Sequence, residues 1–182
     1  EYTDFSLRKF FESASKEKWF DNTLFVITAD HTGPSTNNIY CNDADIFKIP
    51  ILFYKHNSNF KGISHRVTQH IDILPAVLNY LHYDKNFYSL GSNMLDTTTA
   101  GYAVNFINEV YQLFEGDYLL QFDGSNAIAL YNYKTDLSLK NNLLGKREIK
   151  SAQNKIHWQR NSQNNNACTQ NTVKSKPEES SS

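Results

Sequence analysis

One stretch constrains the fold more than any other: Thr23-Leu24-Phe25-Val26-Ile27-Thr28-Ala29, which runs directly into Asp30-His31-Thr32-Gly33-Pro34-Ser35. A short apolar, β-branched run without polar alternation predicts a strand buried on both faces. Upstream, Phe5, Leu7, Phe10, Phe11 and Ala14 recur at near-helical spacing among charged residues, predicting an amphipathic helix over 4–18. Helix, buried strand, then a polar Gly/Pro loop is the layout of an α/β sheet, in which ligands bind off the carboxyl ends of the strands.

Further along, Ile49 to Tyr54 predicts a second strand, with Pro50 near its start because proline cannot donate to a central ladder. Asp72-Ile73-Leu74-Pro75-Ala76-Val77-Leu78-Asn79-Tyr80-Leu81 predicts a helix capped by Asp72, with Pro75 in its first turn and Ile73, Val77, Tyr80 and Leu81 as its buried stripe. The segments 102–109, 111–114, 118–122 and 127–133 predict an antiparallel meander, and Asp123-Gly124 between apolar runs is a hairpin signal. From about Lys146 the chain turns polar, and 161–182 lacks the large apolar residues needed to offset ordering, so a disordered tail is expected. Its Asn164-Asn165-Asn166 and Ser180-Ser181-Ser182 runs read as low-complexity sequence.

The 182 residues suffice for a compact domain with a core, and the formal net charge of -1 offers no basic excess for neutralising nucleic-acid phosphates. No apolar run reaches the roughly 20 residues of a membrane span. Glu1 to Phe5 has neither a basic nor an apolar leader region, so no signal peptide is expected. Cys41 and Cys168 show no CxxC spacing and leave both redox compartment and pairing open.

Asp30 and His31 are the sharpest candidates for chemistry. A carboxylate and an imidazole on rigid backbone at a strand end suit a divalent transition metal. The alternative is a turn cap by Asp30 beside a solvated His31. His70 precedes the second helix and is a candidate for a substrate or supporting role. His56 and His65 lie in a polar loop and are expected to be solvated, and His82 at the helix end suits the dipole there. Asp43 and Asp45 could reach the metal but, as a loop acidic pair, are expected to face solvent, and Asp72 to act as a cap rather than a catalytic carboxylate. The aromatics between Tyr102 and Tyr133 are read as core and cross-strand packing rather than a carbohydrate platform.

The string Asn22 to Gly33 resembles the second metal motif of the alkaline-phosphatase superfamily. Ile49 to Tyr54 follows at a familiar distance, and Gln69-His70-Ile71-Asp72-Ile73-Leu74-Pro75-Ala76-Val77-Leu78 is similar to the superfamily's "QxDxxPTLL" helix start. The variant most alike is the lipoteichoic acid synthase-like sulfatase family of bacterial cell envelopes. The likeness spans roughly residues 2–146 and includes 101–105 and 116–122.

The resemblance implies the C-terminal part of an alkaline-phosphatase-like α/β/α sandwich with a small antiparallel β subdomain. Residues 1–100 would belong to the sandwich core, 101–146 to the subdomain and 147–182 to the tail. It implies that Asp30 and His31 bind the catalytic metal, manganese or zinc, and that Ser35 contacts the substrate phosphate, although a turn serine bonding its own backbone is an equal reading. Thr32 is assigned no role. The nucleophilic threonine and a further acidic ligand would come from sequence upstream of Glu1, in the N-terminal half of the same protein, so this chain alone is expected to be inactive. The implied substrates are phospholipids or sulfate and phosphate esters, handled on the extracytoplasmic side of the cell membrane. A truncated, non-catalytic remnant or binding module is the rival reading.

Overall fold

The computed structural model describes residues 2–33 and 44–145. Ser35, Cys41, Asp43, Cys168 and the polar tail lie outside the described residues. Helix α1 spans Tyr2–Ala14, strand β1 Phe25–Thr28, strand β2 Ile51–Tyr54 and helix α2 Ile73–Tyr80. Four strands follow: β3 Tyr102–Ile107, β4 Val110–Glu115, β5 Tyr118–Phe122 and β6 Ala127–Asn132.

The helix expected over 4–18 stops at Ala14, and Ser15 to Phe20 continue as turns. β1 pairs antiparallel with β2, Phe25 opposite Tyr54 and Thr28 opposite Ile51. Phe25, Val26 and Ile27 of β1 are half-buried and Thr28 is exposed, because among the described residues β2 is the strand's one ladder partner. Side chains alternate across this ribbon. Phe25 and Tyr54 meet Phe11 of α1, with ring centroids 5.1 and 5.5 Å apart. On the other face Phe53 lies 6.3 Å from Phe60, which stacks 5.1 Å from Tyr80 of α2. Phe11 of α1 thus packs on one face of the ribbon and Phe60 links the other to α2, an α/β/α layering that leaves the ribbon partly open.

α2 is preceded by a 3₁₀ turn, His70–Asp72. Its buried residues are Pro75 and Ala76, whereas Leu81, expected in the buried stripe, is exposed. Leu81 falls outside the stripe because the helix ends at Tyr80, leaving Leu81 as its C-terminal cap. Asp72 does not cap α2 with its side chain. Its carboxylate instead reaches back to the Gln69 N–H at 3.0 Å and across to the Ser92 N–H at 2.8 Å.

β3 to β6 form one antiparallel sheet in chain order. Strand β3 ends at Ile107, two residues before the expected Glu109, because Asn108 and Glu109 both take positive φ and close a two-residue turn. The β5–β6 connection is a four-residue loop in which the Asp123 carboxylate accepts the N–H groups of Ser125 and Asn126, each at 2.7 Å. Both faces of the sheet are covered: Ala103, Phe114, Leu119 and Tyr133 form one buried cluster, and Leu113, Leu120, Phe122 and Leu130 the other. The aromatics thus serve packing, as in the edge-to-face pair Phe114–Tyr133 and the cross-strand pair Phe106–Tyr111.

Candidate functional site

Asp30 and His31 follow the last residue of β1 and stand well exposed, their side chains 88% and 77% accessible. The Asp30 Oδ1 accepts the His31 N–H at 2.9 Å, which turns the chain sharply at the strand end. His31 Nδ1 lies 2.7 Å from the Thr32 carbonyl oxygen. A carbonyl only accepts, so Nδ1 carries the proton and the neutral ring presents the lone pair of Nε2. That atom faces Asp30 Oδ2 at 3.7 Å. The bond to Thr32 and the Asp30 carboxylate both push the His31 pKa up.

Together these features fit a metal in donor type and orientation, since ligating imidazoles characteristically anchor their other nitrogen to a carbonyl. The donor number falls short: among the described residues no three His, Cys, Asp or Glu side chains converge, whereas catalytic zinc usually has three protein ligands. Without a metal the pair is a solvated ion pair when His31 is protonated.

Asp30 and His31 stand at the mouth of a cavity of about 600 Å³. Its walls come from the residues before β2, the segment leading to α2, and the Phe114 face of the four-stranded sheet. The floor is apolar, with Ile46, Ile51, Val67, Ala103 and Phe114, while Lys48, Arg66 and Lys134 bring positive charge to the rim, where His65 also lies. Lys48 contacts the buried Asp45 carboxylate and lies 5.6 Å from the Tyr133 ring. Asp45 is therefore an internal counter-charge, 6% accessible, and not the solvent-facing acid expected. The Arg66 guanidinium is fixed by the carbonyls of Asp96 and Thr99.

His70, from the 3₁₀ turn, also lines this cavity; its Nε2 lies 2.9 Å from the Ala29 carbonyl oxygen and 3.3 Å from Thr28 Oγ1. Thr32 anchors the loop after the pair by donating its hydroxyl to the Ile46 carbonyl at 2.7 Å. His56 sits elsewhere, 3.9 Å from Asp21 and stacked near Phe20. No pattern in the sequence marks the basic rim, because Lys48, Arg66 and Lys134 belong to three distant segments with no shared spacing. The one local hint was Lys48 just ahead of the Pro50 that opens β2.

Residues 1–83 match the Sulfatase family model, and these residues carry α1, both strands of the ribbon, the Asp30–His31 pair and α2. Among solved structures the chain is similar to a protein in the alkaline phosphatase superfamily from Vibrio parahaemolyticus, at 21% identity and a TM-score of 0.68. That likeness covers 92% of this chain and 42% of the other. At this identity it shows the fold, an α/β architecture of the alkaline-phosphatase kind carrying antiparallel sheets. No curated protein matches the sequence.

Proposed function

We propose that this chain supplies the strand-end half of the metal site, and part of the substrate cavity, of a sulfatase- or phosphotransferase-type enzyme acting on phosphoryl or sulfuryl esters. The observation that carries this reading is the convergence of Asp30 Oδ2 and His31 Nε2, 3.7 Å apart, at the mouth of a cavity with a basic rim. Asp30 and His31 would hold manganese or zinc, which when bound supplies Lewis acidity toward the transferring group. The Thr32 carbonyl keeps the His31 proton on Nδ1, so Nε2 stays available as a donor. Arg66 and Lys134 attract the ester's negative charge, the Lys48 charge being countered by Asp45, and the apolar floor excludes water from the rest of the substrate.

On this reading the nucleophile and the remaining metal ligand belong to sequence outside these 182 residues, as does the attachment to the outer face of a membrane. No helix among the described residues is long and apolar enough to cross a membrane. The chain alone is expected to bind Mn²⁺ at one weak site, seen as loss of the free-ion electron paramagnetic resonance signal, and to turn over neither p-nitrophenyl phosphate nor p-nitrophenyl sulfate. Asp30→Ala and His31→Ala should each abolish that binding. A wild-type chain that takes up neither Mn²⁺ nor Zn²⁺ would overturn the proposal in favour of a non-catalytic remnant or binding module, a reading that the two-donor count favours.

A further inference from the structure

We propose that His70 is a positioning residue for the Asp30–His31 pair, with its ring N–H holding the end of β1 in the orientation that aims both side chains at one point. The proposal rests on the metal-binding reading of that pair and gives His70 a structural link to it in place of a contact with substrate.

The geometry assigns the proton. Ala29 O, 2.9 Å from His70 Nε2, can only accept, so Nε2 donates. The Thr28 hydroxyl also lies 3.3 Å from Nε2, but it donates its own proton to the Pro50 carbonyl at 2.9 Å. This carbonyl of Ala29 lies just past the β1–β2 ladder, whose last pair is Thr28 opposite Ile51. Beyond that pair no strand partner among the described residues fixes the chain, and the next two residues are Asp30 and His31. The His70 ring takes over where the ladder stops.

His70 itself is held firmly enough to serve. Gln69 Oε1 accepts the Val104 N–H of β3 at 3.2 Å. The buried Asp72 carboxylate ties the Gln69 N–H to the Ser92 N–H. A Cβ on Gly91 would fall 2.1 Å from the Ile71 carbonyl oxygen, so backbone meets backbone directly at this turn. One continuous path therefore runs from the four-stranded sheet through Gln69 and His70 to the strand end. A turn fixed on one side by β3 and on the other by Ala29 limits the freedom of the pair, and oriented donors bind metal more tightly than mobile ones.

The test compares the full chain with His70→Ala and His70→Gln. The glutamine amide retains an N–H donor of similar reach, whereas alanine removes it. Two readouts are taken: Mn²⁺ affinity, and metal-free amide hydrogen exchange at Asp30 and His31 by NMR. The expected result is an affinity about tenfold weaker in the alanine variant, largely restored in the glutamine variant, with exchange at Asp30 and His31 faster in the alanine variant alone. A purely structural role would lower the unfolding temperature without this selective rescue. Unchanged affinity and unchanged exchange in a folded alanine variant would overturn the proposal. If the wild type binds no metal, the functional reading fails, yet the exchange measurement still decides whether His70 orders the strand end. Should the alanine variant not fold, the wild-type ring tautomer decides: a proton found on Nδ1 in place of Nε2 rules out the Ala29 bond and the proposal with it.

Discussion

Gln112 is fully buried in β4, with Asn105 opposite it on β3 and Gln121 opposite on β5, and neither end of its amide meets a hydrogen-bond partner among the described residues. An unsatisfied buried amide costs about 1–3 kcal/mol, while an apolar group of the same shape costs nothing of that kind. Gln112→Met should therefore raise stability by about 1 kcal/mol in urea unfolding; a loss instead would show that the amide is bonded in solution. The sequence does not announce this residue, because a glutamine inside Val-Tyr-Gln-Leu-Phe-Glu reads as the solvent-facing step of an alternating strand. The position of Asp30 and His31, by contrast, was legible, since the apolar run stops abruptly just before them and β1 ends there. Asp45 was not legible: its burial depends on Lys48 and on the sheet behind it, both of which are set by tertiary packing.

At the scale of the element, the turn from Gln69 to Asp72 joins more of the structure than its length suggests. Asp72 is 2% accessible and accepts two backbone N–H groups from different segments. Asp72→Ala would leave both donors buried without a partner, for an expected loss of about 3 kcal/mol at neutral pH. Burial pushes the Asp72 carboxyl above its usual 3.8, with the Ser92 and Gln69 N–H groups acting against it. Between 3.8 and that raised folded value the folded chain holds more protons than the unfolded chain, so this group adds stability as pH falls through the window. The gap between wild type and Asp72→Ala should then widen as unfolding is measured at pH values descending from neutral toward 3.8. A gap that narrows would mean the carboxylate is held ionised. Asp96 and Asp123, held low chiefly by bonds from Thr98 and Asn126, slope the other way in both proteins. The meander and α2 were readable from period and turn residues. The Asn108-Glu109 turn was not, since glutamate seldom takes positive φ and nothing local marks it as an exception.

For the whole molecule, the ribbon is the open part. Phe5, Phe10, Trp19 and Leu52 are each 47–55% accessible on or beside the α1 face of β1 and β2. Phe10 and Trp19 both lie against Phe25 of β1, and exposed apolar side chains gathered on one face favour association. The isolated chain is expected to self-associate with concentration in sedimentation velocity, and Leu52→Lys should weaken this; a strictly monomeric wild type would contradict it. The sequence predicted a strand buried on both faces, and its composition is that of one, yet burial requires neighbours that the apolar run itself does not name. The chain spans 42% of the Vibrio parahaemolyticus structure it resembles, so more of that fold exists than is found here. The order in which the parts form follows from the two sheets. Every pairing in β3 to β6 joins strands adjacent in the chain through connections of two to four residues, so each closes at small entropic cost and within the microseconds typical of hairpins. The β1–β2 ribbon must instead bring Thr28 to Ile51 across the whole intervening loop, so it has the higher contact order and the slower nucleation. The sheet is made after the ribbon by a chain growing from its N-terminus, yet closes faster. The ribbon waits on that sheet, because the Gln69–His70 turn that steadies its end is fastened to β3.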